Sequence, residues 1–316
     1  MWKNGSVRRR TGTIRFRDLG MGAAAVFAVI AAPAGGAENS QGVEQVYSGR
    51  TAEVAAWGER ERDGQREAAA ALVRRLEEAV ARGDERFRIP PGHYRFDGNL
   101  RFFEIRDVEG MVLEGDGATL WFQPHGGQMR LLNCRDVTVR GLNLEMDPLP
   151  FYQGTIHTID RENRSVEMDI DPGFPTPEEL PLRGRGSRAV FFDPEGEREL
   201  EVRDTHVPDV EVVEGRTVRL SPGRLFAETR SREIRPGDRL SLVVRSGGGG
   251  IHLRGCENVT VQDVTVYAAS GFAFFEGERS PGGNTYRRCR LVRKPGTDRL
   301  LAGAADAFHS LMQQRG

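Results

Sequence analysis

Asp306 and His309 interrupt the apolar, small-residue run Gly303-Ala304-Ala305-Asp306-Ala307-Phe308-His309-Ser310. An acid three residues before an imidazole can hold, give or take a proton. Cleaving a glycosidic bond takes one carboxylic acid to protonate the leaving oxygen and a second carboxylate to activate water or attack carbon, so Asp306 alone supplies half of that set. The competing readings are an Asp306 that hydrogen-bonds turn amides and a His309 that satisfies a local hydrogen bond. In a regular strand, side chains three positions apart face opposite ways, and only a turn between them lets both face one cleft. Upstream, Tyr267 offers a hydroxyl to a sugar. Phe272, Phe274 and Phe275 offer rings for stacking, although alternation sends at least one of Phe274 and Phe275 into the core.

The elements that present these residues read as short strands separated by turns, over Ile251 to Phe275 and Asn284 to Leu301. Asn133-Cys134-Arg135-Asp136-Val137-Thr138-Val139 and Gly255-Cys256-Glu257-Asn258-Val259-Thr260-Val261 are nearly the same phrase, and Arg288-Cys289-Arg290-Leu291-Val292 echoes it. The three cysteines show neither CxxC spacing nor a clustered histidine, which argues against a metal site. Their expected role is as small buried residues stacked at one turn of successive repeats. No cofactor is implied.

Upstream, Ala69, Leu72, Val73, Leu76 and Val80 fall at helical spacing within 65–81, with charges opposite, so one amphipathic helix is expected to end before Gly83. Ile89-Pro90-Pro91-Gly92-His93-Tyr94-Arg95-Phe96 reads as strand, turn and strand. Short β-rich runs recur to Met146. Between Asp147 and Arg245 the repeat disappears and hairpins take its place, 153–160 against 165–171 and 210–213 against 217–220, followed by a strand over 240–244. This pattern suits a small antiparallel barrel or sandwich. The phrase resumes after Gly247-Gly248-Gly249-Gly250, which is expected to be a flexible linker, since no following helix or Lys-Ser/Thr makes it a phosphate loop. The module therefore interrupts the repeat rather than trailing it.

The helix, the IPPGHYRF segment and the repeated CxxVTV phrase together resemble the start of a right-handed parallel β-helix, the pectate-lyase-like solenoid. Stacked coils bury each other's inner faces, and the helix caps the first. The fold class expected is all-β: this solenoid with an N-terminal capping helix and an inserted β-barrel-like module. The boundaries are 1–37 for a signal peptide, 38–147 for the cap and first coils, 148–246 for the insertion and 247–316 for the resumed coils. With the glycine-led return, CENVTVQDVTVYAASGFAF and GAADAFHS, the chain resembles the glycoside hydrolase family 110 α-galactosidases. That resemblance implies an exo-acting, inverting hydrolase in which Asp306 belongs to the catalytic acidic cluster and His309 matches the motif's histidine. It also places an adjacent Asp-Asp pair about one coil, roughly 20 or more residues, further on. That position lies past Gly316, so the chain as written is expected to be inactive alone.

Of 316 residues, 45 are basic and 46 acidic, a balance that points away from nucleic acid and toward an uncharged or locally recognised partner, here an oligosaccharide or polysaccharide. Six basic residues precede an apolar run over 21–32, with small residues through Ala37. This is the pattern of an export signal, too short for a span of roughly 20 residues, and it implies a periplasmic or extracellular protein with no stable membrane span. Two further classes stay open. A polysaccharide lyase or galacturonan hydrolase would use Arg287, Arg288, Arg293 and Lys294 to meet a uronate, and a non-catalytic glycan-binding protein would share the fold.

Overall fold

The computed structural model describes residues 49–311 apart from 183–186, 201–204, 208, 222–232, 246–247, 278–279 and 304. The expected signal segment over 1–37 lies outside the described residues. Two helices open the described chain, α1 (Ala52–Ala55) and α2 (Glu59–Arg82). Helix α2 starts six residues before its apolar periodicity does. Its first turns are held by charge: Glu61 Oε2 accepts from the Gly58 amide at 3.0 Å, and Arg66 reaches Glu59 and Asp63, each at 2.7 Å. It stops at Gly83, whose φ of 75° lets the cap amide return to the last carbonyls. Ala69, Leu72, Leu76 and Ala79 are buried against Phe87, Ile89, Tyr94 and Phe96, whereas Val80, expected in that stripe, is exposed. Burying each leucine contributes about 1.5–3 kcal/mol.

Strands then come in threes. The first set is β1 (Arg86–Arg88), β2 (His93–Phe96) and β3 (Phe102–Arg106). The second is β4 (Val112–Glu114), β5 (Thr119–Phe122) and β6 (Gln128–Leu132). The third, β7 (Thr138–Arg140) and β8 (Asn143–Met146), is interrupted. The interruption comprises β9 (Phe151–Asp160), β10 (Ser165–Ile170), β11 (Arg188–Phe192), β12 (Thr205–His206), β13 (Val210–Glu214), β14 (Thr217–Leu220) and β15 (Arg239–Val243). The rotation resumes with β16 (Ile251–Arg254), β17 (Thr260–Gln262), β18 (Thr265–Val266), β19 (Phe274–Glu276), β20 (Thr285–Arg287), β21 (Arg290–Leu291) and β22 (Phe308–Ser310). Every third strand joins the same sheet, and each sheet is parallel with five strands: β1-β4-β7-β17-β20 (sheet A), β2-β5-β8-β18-β21 (sheet B) and β3-β6-β16-β19-β22 (sheet C).

The corners explain the glycine and Asx content. After sheet C the chain turns through left-handed residues at Asp107, Asn133 and Gly255, and again before sheet A at Gly110, Asp136, Asn258 and Gly283. Only Gly, Asn and Asp enter that region readily. The Asx side chains also stack: Asn133 Nδ2 donates to Asp107 at 3.0 Å and Asn258 Nδ2 to Asp136 at 3.2 Å. Cys134 and Cys256 lie one above the other at this corner, with the Glu257 amide donating to the Cys134 carbonyl at 2.9 Å. Cys289 does not join them. It sits at the corner after sheet A, its Sγ 3.3 Å from the Val261 carbonyl. The Arg288-Cys289-Arg290 echo is thus a different corner, reached because the phrase begins after β20 instead of before it.

The interrupting strands form one antiparallel sheet, ordered β12-β11-β15-β9-β10-β14-β13, around its own core of Phe151, Tyr152, Phe191, Leu240 and Leu242. Flat, seven strands would separate the two edges by about 29 Å. The edge strands β12 and β13 are joined by residues 207–209 alone, a reach of about 14 Å, so the sheet must curl.

Gly248–Gly250 are buried and bonded rather than a flexible linker. Gly249 donates to Gly127 at 2.8 Å, Gly250 accepts from Met129 at 3.0 Å, and Gly248 accepts from both Ser270 and Gly271. A Cβ on Gly250 would sit 2.0 Å from the Ala273 carbonyl oxygen, so glycine is required by close approach. No described helix is long and apolar enough to cross a membrane.

Candidate functional site

Sheet C sets side chains from five strands in register. Phe103, Met129, Ile251 and Phe274 point inward and are buried, and Phe308 continues that row. One residue further, Glu104, Arg130, His252, Phe275 and His309 form the outward row, each partly exposed. Alternation therefore puts Phe274 in the core and Phe275 on the surface. His252 and Phe275 have ring centroids 5.1 Å apart, and Phe275 and His309 are 6.0 Å apart with planes 13° from parallel. Phe272, from the preceding corner, stacks on His309 at 4.0 Å and 10°, and lies 5.5 Å from Phe275.

Asp306 precedes β22, in a bend whose carbonyls pair with the strand beside it: Phe274 donates to Ala307 O at 2.9 Å and Ala273 to Asp306 O at 3.4 Å. The bend brings Asp306 Oδ2 to 3.0 Å from His309 Nδ1. Strand alternation would have parted them, and the bend sets Asp306 outside the strand. The Asp306 carboxylate thus takes the imidazole among the described residues, not a turn amide. With Nδ1 donating to Asp306, the neutral ring keeps a lone pair on Nε2. The carboxylate is exposed and His309 partly so, which leaves both open to a ligand.

Tyr267 stands elsewhere. Its amide donates to Leu144 O at 2.8 Å, extending the outward row of sheet B that runs Arg95, Trp121, Glu145. The Lys294 ammonium lies 4.5 Å from the Tyr267 ring, 5.5 Å from Trp121 and 3.9 Å from Glu145 Oε2. Burial pushes the Tyr267 phenol up and the Lys294 amine down. Nearby, Trp121 Nε1 donates to His93 Nδ1 at 3.1 Å, and Trp57 packs edge-on against both rings. Tyr267 is a wall of this packed cluster rather than a partner of Asp306.

The cluster bears on the site through the chain it holds. Residues 292–303 form a long corner that crosses this face ahead of Asp306. Arg299, almost fully enclosed, places Nη1 at 3.0 Å from both oxygens of the fully buried Glu145 and donates through Nε to Gly49 O at 2.8 Å. Gln153 of the inserted sheet fixes the same corner, donating to Asp298 O at 2.8 Å and accepting from the Leu300 amide at 2.7 Å. Sequence reasoning did not single out Glu145 or Arg299. Alternation puts Glu145 on the outer face, where a charge expects water, and what covers it is more than 140 residues away.

Arg130 and His252 were also missed. The Arg130 guanidinium lies over the Phe102 ring, 3.0 Å from its centroid, with its nearest carboxylate oxygen, Glu104 Oε2, at 3.6 Å. Arg130 Nε and His252 Nε2 are enclosed without a hydrogen-bond partner among the described residues. Burial, with Arg130 beside it, pushes the His252 imidazole down to about 4. No group of three or more His, Cys, Asp or Glu among the described residues is arranged to hold a metal. No protein-family model matches the chain, and no curated protein matches it at a significant level.

Proposed function

We propose that this chain is part of a carbohydrate-active protein resembling the exo-acting, inverting α-galactosidases, with Asp306 as one carboxylate of the acid–base set and His309 as the residue that orients it and meets the sugar. The observation that carries this reading is the 3.0 Å Asp306–His309 contact beside the parallel rings of Phe272 and Phe275. An exposed carboxylate next to aromatic surface offers a hydroxyl-rich ring both of the things it needs, a polar group to fix its orientation and an apolar face to lie on. Inversion requires a second carboxylate about 6.5–9.5 Å from the first, with water between, and the resemblance assigns it to the coil that would follow. Rotation through three parallel sheets supports a right-handed parallel β-helix, the curled sheet supports a barrel-like insertion, and the basic-then-apolar leader supports export.

A uronate-directed lyase or hydrolase is the second reading, favoured by Arg130, whose side chain lies on the same outward row with no hydrogen-bond partner among the described residues. Incubation with α-galactosides and with uronate polymers, read by reducing ends and by ultraviolet-absorbing unsaturated ends, separates the two. Ligand-observed NMR with galactose and galacturonate tests the site without turnover, and binding without either product assigns a glycan-binding role. Asp306→Asn is expected to weaken the NMR response at least tenfold, or turnover by 100-fold or more where turnover occurs. Its melting temperature should not move, because the carboxylate is exposed. Unchanged binding and turnover would remove Asp306 from the site.

A further inference from the structure

We infer that the outward row of sheet C is a binding track for an oligosaccharide carrying an anionic group, carboxylate or sulfate, with Arg130 as the residue that reads the charge. The inference rests on the glycan reading of the Asp306 site and extends it along the sheet. Arg130, His252, Phe275 and His309 occupy one register position on four successive strands. At the ordinary strand spacing, Arg130 therefore lies about 14 Å from His309. A single sugar held at Asp306 does not reach that far, and a chain running across the strands does.

The electrostatics of the row's far end call for an anion. A guanidinium has five N–H donors, and the Arg130 side chain makes no hydrogen bond among the described residues. Its one ion pair, to Glu104, is 3.6 Å long, beyond hydrogen-bonding distance, and Glu104 is shared with Arg106 at 2.8 Å. The Phe102 ring holds the guanidinium plane in place. His252, next in the row, has its Nε2 enclosed without a partner among the described residues, and burial keeps its ring neutral, so it adds no charge beside Arg130. Arginine with free, pre-oriented donors is the side chain best matched to the paired oxygens of a carboxylate or sulfate. Two other arginines show the contrast: Arg288 is doubly bonded to Asp263, and Arg219 is bonded to Glu167 and Glu211.

The test is calorimetric titration of the chain with three matched oligosaccharides: one bearing a uronate, its carboxyl-reduced neutral counterpart, and a sulfated analogue. The anionic ligands are expected to bind at least about tenfold more tightly at low salt, as one charge-assisted contact provides, and their ranking identifies the group. Arg130→Gln is expected to abolish the preference while leaving neutral binding intact, and Arg130→Lys to keep part of it. The lysine variant guards against a folding defect in the glutamine variant. Asp306→Asn should keep the preference, since it lies at the other end of the row. Equal affinity for neutral and anionic ligands, a preference that survives Arg130→Gln, or no binding by any of the three overturns the proposal. Charge preference with an affinity that Asp306→Asn leaves unchanged would sink the Asp306 reading alone, and an Asp306-dependent affinity without charge preference would sink this one alone.

Discussion

Replacing Arg299 with Met should loosen the corner that delivers Asp306, by an amount that can be worked from its burial. Arg299 and Glu145 side chains are 3% and 0% exposed, and Arg299 Nη1 sits 3.0 Å from both carboxylate oxygens. Removing the arginine strands a buried carboxylate, a loss that runs to about 3–5 kcal/mol when one partner of such a pair is deleted. Lys294, 3.9 Å away, and the Met146 amide, at 2.9 Å, remain to soften it, so the expected cost is about 3 kcal/mol, toward the low end of that range. For a chain of 316 residues that is a fall in Tm of about 4–5 °C. Removing both charges, as Glu145→Met with Arg299→Met, should recover much of the loss, because no ion is then left without a partner. Thermal denaturation of both singles and the double gives the coupling, and hydrogen exchange across 292–307 gives its location. An Arg299→Met protein within about 1 kcal/mol of wild type, or a double variant no better than the worse single, would refute the reasoning.

Three other outcomes follow from the same geometry. His252 should make stability fall with acid: its pKa, lowered to about 4 by burial, lies below the unfolded value, so the unfolded chain binds the extra proton. Its contribution is complete above about pH 6.5 and is lost as pH falls toward 4, about 3 kcal/mol in all. Urea titrations at stepped pH should show this slope in wild type and a flatter one in His252→Gln, and parallel slopes would exclude it. Gly250→Ala should cost about 1–3 kcal/mol or more by forcing a Cβ onto the Ala273 carbonyl; a stable, wild-type-like melt would show that the crossover can shift. Leu72→Ala, at the buried face of α2, should cost about 2–5 kcal/mol in chemical denaturation, and a loss under 1 kcal/mol would mean that the helix does not cover the first coil's core.

What was legible in the chain, and what was not, divides by the range of the contacts. The Cys134 and Cys256 phrases record one coil each, because both make the corner with a small buried residue and a left-handed Asp136 or Asn258, whereas the coil before them uses Val108 and Gly110 and leaves no echo. The strand bounds at 165–170, 210–214 and 217–220 follow from alternation and turn residues within a few positions. The Asp306–His309 contact was legible only as a condition: a strand would part the two and a turn would join them, and the choice is made by pairing of the bend with Ala273 and Phe274 of the preceding coil. Cys289 misled because an echo in sequence fixes residue type but not the corner it belongs to. The site's framework lay beyond local reading altogether. Arg130 and His252 are neighbours in a row only because the insertion lies between them in sequence and leaves the sheet's register intact. Glu145 on an outward position looks solvated until Arg299, from a corner built two coils later, closes over it. The same long corner that buries this charge turns outward to expose Asp306, so the stability of the one and the placement of the other are properties of a single segment.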